Sequence, residues 1–295
     1  MTLPREIVPG RFYMITRRCT QRQFLLRPDA ETNNAFIYCL AEAAQRYDID
    51  VLLPCAMSNH HHTVVYDRHG TLPAFTEHFH KLLAKCQNAL RGRWENMWSS
   101  EQVCVVRLVD AVDVMRKLVY TATNPVKDRL VERAHQWPGV NGLAQLMAQR
   151  PLRATRPRHF FRADGAMPEE VTLHLVLPPK LGDPDQFREE LRQQVAAVEV
   201  AVAAERRGTG AAVLGRRAIC RQSWRESPRT CEPRRNLRPV IAARSPWSRI
   251  EALQRNREFV AAYREARDRW LAGMASIFPV GTYWLRRFAN VPLGT

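Results

Sequence analysis

The chain has 295 residues and carries 45 Lys and Arg against 29 Asp and Glu, a formal net charge of +16. Hydrophobic residues make up 45% and charged residues 25%, which excludes a wholly disordered protein. No run of about 18 apolar residues occurs, so no transmembrane helix is predicted. The N-terminus lacks the charged-then-apolar pattern of a signal peptide, and we expect a cytoplasmic protein.

The basic residues are mostly arginine, 40 of the 45, and the guanidinium fork of arginine matches phosphate oxygens. This charge predicts a polyanionic partner, most simply a nucleic acid. The alternative is a compositional bias toward arginine with a solvated basic surface. The seven cysteines form no C-x-x-C pair, which argues against a zinc ribbon and a secreted disulfide framework and favours buried free thiols in a reducing compartment.

The first 130 residues alternate between strand and helix patterns. In chain order we predict a strand, a helix, a two-stranded hairpin, a second helix, a strand and a third helix ended by Pro125. These elements cover Arg11–Cys19, a helix from Asp29 to Tyr47, Asp50–Met57 with His60–Tyr66, Thr71–Arg91, Val103–Val109 and Ala111–Thr123. The order β-α-β-β-α-β predicts an α+β fold with a ferredoxin-like antiparallel sheet. One sheet face carries helices, and the other is open to a ligand or to the third helix.

The remainder of the chain divides by composition. We expect residues 1–135 to form one domain, residues 136–168 to form a linker rich in Pro, Gly and Arg, and residues 169–295 to form a basic, α-rich module. Within that module the patterns predict a strand at Val171–Leu177 and helices at Gln186–Arg206 and Ser248–Met274. The segment Arg206–Arg249 has 12 Arg against two Glu and predicts a mostly irregular basic arm that adds sequence-independent affinity for a polyanion.

Three consecutive histidines occupy the start of the second hairpin strand. Residues two apart in a strand share a face, so His60 and His62 point the same way and His61 points to the other face. Two imidazoles on one face can bind one divalent ion. The alternative is a set of histidines at a hairpin mouth that only form hydrogen bonds.

The third helix carries a tyrosine and an asparagine at helical spacing. Tyr120 and Asn124 are four residues apart and therefore lie on one helix face, and Lys127 joins them if the helix passes Pro125. A phenol beside a metal ion or another cation forms the phenolate at lower cost, and the phenolate can attack phosphorus. The alternative is a tyrosine half-buried against the sheet with its hydroxyl in solvent.

Taken together, His60-x-His62 and Tyr120-x-x-x-Asn124-Pro125-Val126-Lys127 resemble the single-tyrosine HUH transposases, in particular the insertion-sequence-200-like and REP-associated tyrosine transposases. The segments Tyr13–Cys19 and Cys55–His60 match the family as well, and the resemblance spans about residues 8–135. It implies a metal-dependent DNA strand transferase and endonuclease that acts in DNA transposition and recombination. Tyr120 would be the nucleophile, and His60, His62 and Asn124 would bind Mg²⁺ or Mn²⁺.

The resemblance also implies single-stranded DNA with hairpin or palindromic repeats as the substrate, a 5′-phosphotyrosine intermediate, no membrane partner and a nucleoid-associated location. It leaves both a monomer and a homodimer open. One position departs from the family, because the residue between the two histidine ligands is usually apolar and here is His61. A buried imidazole at that position needs a hydrogen-bond partner.

Several cations are candidates for contacting the DNA backbone. They are Arg17, Arg18 and Arg22 beside the sheet, Lys81, Lys85, Arg91 and Arg93 on or after the second helix, and Lys127 after the third. Trp94 and Trp98 are candidates for base stacking, with core packing as the alternative for at least one of them. Three other functions stay open: an inactive, domesticated nucleic-acid-binding protein of the same fold, a water-using nuclease in which Tyr120 is structural, and an arginine-rich ribosome-associated protein.

Overall fold

The protein is built on an antiparallel sheet. The computed structural model describes residues 4–230 and 239–294. Its sheet has the order β2-β3-β1-β4 and comprises β1 (Arg11–Arg18), β2 (Ile49–Ala56), β3 (His60–Asp67) and β4 (Cys104–Leu108). With the intervening helices the elements follow the β-α-β-β-α-β order of the ferredoxin-like arrangement, so the predicted α+β fold is confirmed.

Two long helices cover one face of the sheet. They are α1 (Ala30–Tyr47) and α2 (Leu72–Arg91), and α1 begins where the Asp29 side chain accepts a hydrogen bond from the Thr32 amide at 2.7 Å. Their apolar residues recur at helical spacing and are buried against the sheet: Ala35, Phe36, Cys39 and Leu40 of α1, and Phe75, Phe79, Leu83 and Cys86 of α2. This layer supplies most of the hydrophobic core.

The third helix, α3 (Ala111–Lys127), covers the opposite sheet face. It begins where the Asp113 side chain accepts a hydrogen bond from the Asp110 amide at 3.1 Å. The predicted end before Pro125 is wrong, because the helix continues to Lys127. A proline in the last turn removes only one backbone hydrogen bond, and Val126, 1% exposed, keeps that turn packed.

The segment expected to be a linker, residues 136–168, contains regular structure. It carries α4 (Leu143–Met147) and β5 (Leu152–Thr155), and β5 pairs antiparallel with β6 (Glu170–Leu173). The alternating residues Leu152 and Ala154 are buried against α1, and the Asn34 side chain donates to the Thr155 carbonyl at 2.7 Å. Part of this segment therefore packs on the core, since the short apolar alternation in β5 is enough to bury it.

Helix α5 (Pro184–Thr209) lies on α3 and completes the core on that side. Its buried residues Phe187, Leu191 and Val195 pack with Leu118, Val119 and Ala122 of α3. The helix that carries Tyr120 is therefore held between the sheet and α5.

The basic arm is partly regular. Arg206–Arg249 contains α6 (Arg216–Arg221) and β7 (Ile241–Ala242), which adds to the sheet parallel to β4, and residues 231–238 lie outside the described part. Ile219 of α6 is fully buried, so this part of the predicted irregular arm is anchored to the core. The chain ends with α7 (Pro246–Leu271) and the short α8 (Trp284–Ala289).

No helix in residues 4–230 and 239–294 is long and apolar enough to cross a membrane. The six cysteines in these ranges are free, and four of them are buried. Cys231, the seventh, lies outside the described residues.

Candidate active site

Tyr120 and Asn124 lie one turn apart on α3, on the side that faces the sheet. Tyr120 is partly exposed, whereas Asn124 is 4% exposed. Tyr120 therefore lies at the edge of the core, with its side chain partly packed on the protein and partly exposed.

The histidines of β3 divide between the two sheet faces, as the alternation predicts. His62 lies on the α3 side with Val64, and His61 lies on the α1–α2 side with Val65. The rings of His60 and His62 have centroids 4.8 Å apart. The two predicted ligands are therefore side by side.

The tyrosine helix and the histidine strand meet at His62. The ring centroids of His62 and Tyr120 are 5.1 Å apart at an interplanar angle of 71°. The Asn124 amide nitrogen lies 3.5 Å from Nε2 of the same histidine. His60, His62, Tyr120 and Asn124, which come from separate parts of the sequence, thus form one cluster.

Neighbouring polar groups orient both imidazoles through Nδ1. His60 Nδ1 donates to the Asn59 side-chain oxygen at 2.7 Å, and His62 Nδ1 lies 2.8 Å from the Thr16 hydroxyl. A histidine whose Nδ1 hydrogen is held in this way presents the Nε2 lone pair, which on His62 faces the Asn124 side-chain amide. Thr16 was not predicted as a site residue, because only the pairing of β1 with β3 brings it opposite His62.

A divalent ion fits this cluster. Among the described residues, no group of three or more His, Cys, Asp and Glu side chains could hold a metal ion. A metal ion bound by His60 and His62 would therefore need its third protein ligand from another residue type. Asn124 Oδ1 is buried without a hydrogen-bond partner. A buried, unpartnered amide oxygen beside two oriented imidazoles has the donor chemistry that Mg²⁺ or Mn²⁺ accepts.

Burial sets the protonation states of His62 and Tyr120, whose rings are in contact. It lowers the pKa of His62 well below its usual value, and the positive charges of nearby groups lower it further, so the imidazole is neutral and able to bind a cation. Burial and the Asp128 carboxylate raise the pKa of Tyr120, against a smaller opposing effect of Asn124 and Arg18. The phenol therefore carries its proton at neutral pH.

Two lysines flank the tyrosine ring. The ammonium nitrogens of Lys117 and Lys127 lie 5.6 Å and 5.3 Å from the Tyr120 ring centroid. Positive charge at this distance lowers the cost of a phenolate. Lys117 was missed in the sequence, although its spacing of three residues from Tyr120 on a helix is a usable signal.

The unusual His61 has a buried partner. Its Nε2 lies 2.9 Å from Nε2 of His80 on α2, and its Nδ1 lies 3.1 Å from the Thr63 hydroxyl. Burial lowers the pKa of His61 to about 3, with smaller contributions from the charges of His60 and Arg17. The imidazole that the sequence places on the core side is neutral and satisfied.

The predicted DNA-contacting residues divide between the two faces. Arg18 is exposed beside His60 in the strand register, and Lys127 is exposed next to Tyr120. Arg17 points to the other face, where its guanidinium lies 5.5 Å from the Trp98 ring centroid and 3.4 Å from His80 Nδ1. Arg22 donates to the Thr230 carbonyl at 2.7 Å.

The cations of α2 lie on the side of the sheet away from Tyr120. Lys81 and Lys85 are exposed there. Arg91 forms an ion pair with Asp29 at 2.6 Å and donates to the Thr32 hydroxyl at 2.7 Å. Arg93 donates to the Gln23 side chain at 3.2 Å. Arg91 is thus held at the start of α1 by these bonds.

The two predicted stacking residues differ in exposure. Trp98 is 7% exposed, and its indole nitrogen donates to the His80 carbonyl at 2.9 Å, so it is a core residue. Trp94 is 98% exposed and stays a candidate for base stacking.

Similar proteins were found among solved structures. No protein-family model matches the chain, and no curated protein does. A REP-associated tyrosine transposase solved with a REP hairpin is 15% identical with a TM-score of 0.43, and the match covers 56% of this chain and 91% of that one. A candidate transposase of Deinococcus radiodurans R1 is 16% identical with a TM-score of 0.29, over 36% of this chain and 85% of that one. Both descriptions name transposases, the class that the sequence motifs resemble.

Proposed function

We propose that this chain is a tyrosine transposase that cleaves and rejoins single-stranded DNA through a 5′-phosphotyrosine on Tyr120. The observation that carries the proposal is the contact between the Tyr120 and His62 rings at 5.1 Å, with Asn124 reaching the same imidazole. A partly exposed phenol beside two oriented histidines, of which the buried His62 is neutral, has the groups needed for nucleophilic attack on a phosphodiester.

In the proposed reaction the Tyr120 hydroxyl oxygen attacks phosphorus in line with the bond to the 3′ oxygen. The new O–P bond forms as the P–O3′ bond breaks, and the phenol proton is transferred overall to the leaving 3′ oxygen. A 3′-OH of a second DNA end then attacks the phosphotyrosine, restores the phenol and rejoins the DNA. One phosphodiester replaces another, so no external energy source is required.

The chain's own residues would prepare this step. His60, His62 and Asn124 would hold Mg²⁺ or Mn²⁺, which when bound polarises a phosphate oxygen and offsets transition-state charge. Lys117 and Lys127 lie within 5.6 Å of the Tyr120 ring centroid and would stabilise the phenolate. Asn59 and Thr16 would keep the imidazoles in the ligating tautomer.

The proposed substrate is single-stranded DNA that carries a hairpin, as the sequence resemblance implies. Arg18 and Lys127, exposed at the site, would contact phosphates next to the cleaved bond. A nucleoid-associated location follows from that substrate.

Incubation with 5′-labelled and 3′-labelled hairpin DNA and Mn²⁺, followed by a denaturing gel, tests the proposal. We expect a protein-linked band that is lost in Tyr120→Phe and is reduced about 100-fold in His62→Ala, the upper end of the loss seen when a group that supports a metal site is removed. Tyr66→Phe is the matched control. Tyr66 lies on the same strand as His62 and has Lys180 5.6 Å from its ring centroid, as Tyr120 has lysines near its own ring, but it lies away from the histidine pair.

Two results would distinguish the proposed transposase from a water-using nuclease and from an inactive nucleic-acid-binding protein. Cleavage that survives Tyr120→Phe without a protein-linked band indicates a water-using nuclease. Binding without cleavage in wild type, with either metal, indicates an inactive nucleic-acid-binding protein. Either result overturns the proposed transposase.

A further inference from the structure

The last described residues form an anchored segment after α7. Phe278 is fully buried with Val291, and the Gly281 carbonyl accepts a hydrogen bond from the Ile7 amide at 3.0 Å. Gly281 has a φ of +95°, and a Cβ there would lie 2.8 Å from the Glu6 side chain, so the close contact requires glycine. The segment is therefore fixed to the start of the catalytic sheet.

Helix α8 is held in a defined orientation on this segment. Tyr283 packs on the main core, and Leu285 packs with Phe278 and Val291. Trp284, Arg287 and Phe288 are three and four residues apart and so lie together on another face. Because Tyr283 and Leu285 pack inward on either side, the face that carries Trp284, Arg287 and Phe288 is directed away from the core.

The outward face of α8 exposes aromatic surface. Phe288 is 76% and Trp284 39% exposed, and their rings are stacked with centroids 5.4 Å apart at 7°. The Arg287 guanidinium lies 5.9 Å from the Phe288 ring centroid and donates to the Tyr283 hydroxyl at 3.0 Å. Exposing such large apolar side chains to water is unfavourable. Their exposure therefore indicates a binding surface.

The segment that carries this face is basic, which favours an anionic occupant. Residues 269–294 contain Arg269, Arg286 and Arg287 and no Asp or Glu, in a chain of net charge +16. All three arginines are exposed. Flat aromatic faces next to guanidinium groups are the combination that stacks bases and neutralises phosphates of single-stranded nucleic acid.

We propose that Trp284, Arg287 and Phe288 form a second single-stranded DNA contact, here called the α8 platform. One or more bases stack on the exposed Phe288 and Trp284 rings, and Arg287 contacts the adjacent phosphates. The identity of the occupant rests on the proposed function, since a transposase of single strands supplies this ligand.

The segment that carries the α8 platform is attached at the opposite end of β1 from the histidine site. It is attached beside Ile7, ahead of β1, whereas the histidine site lies beside Thr16 near the end of that strand. At about 3.3 Å per residue the two places are roughly 20 Å or more apart. The platform therefore binds nucleotides that flank the cleaved bond and does not reach the reacting phosphate.

Fluorescence anisotropy with labelled oligo-dT about twenty nucleotides long tests the platform. The measurement uses the full chain with Tyr120→Phe, so that binding is read without covalent capture. We expect Phe288→Ala to raise Kd about tenfold, and Phe288→Leu to raise it nearly as much because leucine has no ring face. Ile277→Ala, in the same C-terminal segment and with a side chain that is 68% exposed, is the matched control and should change Kd less than twofold.

The outcomes also separate this proposal from the cleavage proposal. Unchanged Kd in both Phe288→Ala and Trp284→Ala overturns the platform while leaving the Tyr120 adduct assay unaffected. Full binding by Phe288→Leu overturns base stacking. If Phe288→Ala instead abolishes sedimentation with phosphatidylserine vesicles, or dissociates a dimer, while oligo-dT binding persists, the face is a membrane or self-association surface and the proposal is wrong.

Discussion

At the scale of single residues, spacing predicts which side chains share a face, and packing supplies their partners. The four-residue separation of Tyr120 and Asn124 and the alternation of His60 and His62 are properties of helix and strand geometry. The partners that orient or satisfy these groups come from elsewhere in the chain: Thr16 for His62 and His80 for His61. No local pattern identifies them, because they become neighbours only when the sheet pairs and α2 packs on it.

Lys127 and Lys85 give a residue-scale prediction, since both were candidates for DNA contact and the structure puts them on opposite sides of the sheet. Lys127 lies 5.3 Å from the Tyr120 ring centroid, and Lys85 is exposed on α2. We expect Lys127→Met to slow protein–DNA adduct formation about fivefold, the effect of one unit charge removed at close range in a wet site. Single-turnover adduct kinetics on hairpin DNA measure it.

Lys85→Met is the matched control for that experiment and should leave the adduct rate within twofold. Equal slowing by Lys127→Met and Lys85→Met would mean that DNA contacts the α3 side and the α2 side of the sheet equally. That result would contradict the placement of the candidate site on the α3 side.

At the scale of elements, helix α5 decides how rigidly the tyrosine helix is held. Leu191 is fully buried, and with Phe187 and Val195 it packs against α3. Its apolar positions predict an amphipathic helix but do not predict its target, since any apolar face would accept it. The choice of α3 follows from the sheet face that α1 and α2 leave uncovered.

Leu191→Ala should lower the free energy of unfolding by about 2–5 kcal/mol, because it removes buried methylene groups and leaves a cavity between α3 and α5. Val200→Ala on the same helix is the control. Its side chain is 67% exposed, and we expect a change within about 0.5 kcal/mol. Urea unfolding followed by circular dichroism measures both, and equal effects would contradict the packing of α5 on α3.

At the scale of the whole molecule, the elements after residue 135 complete both layers around the sheet. The β5–β6 hairpin packs on α1 and α5 packs on α3, so the sheet that carries the histidines shares its core with the C-terminal half of the chain. The excess positive charge is carried on this combined surface, with exposed Arg216 and Arg217 on the anchored helix α6. The basic arm can therefore be tested by charge reversal without removing structure.

Replacing Arg216 and Arg217 by Glu should weaken single-stranded DNA binding and reduce its salt dependence. Each lost phosphate contact lowers the slope of log K against log salt by about 0.7 for a single strand. Equilibrium titrations from low to moderate salt measure the slope, with Arg158→Glu, a side chain 92% exposed on the loop after β5, as the control. An unchanged slope would mean that Arg216 and Arg217 of α6 do not contact the DNA.

The sequence by itself determined the α+β order of elements, the facing of His60 and His62, and the shared helix face of Tyr120 and Asn124, because local backbone geometry sets each of these. Only the tertiary structure decided that α3 continues past Pro125, that residues 136–168 pack on the core, and that Arg17 and Arg91 point away from the candidate site. These depend on the burial of side chains against distant parts of the chain, which no local spacing contains.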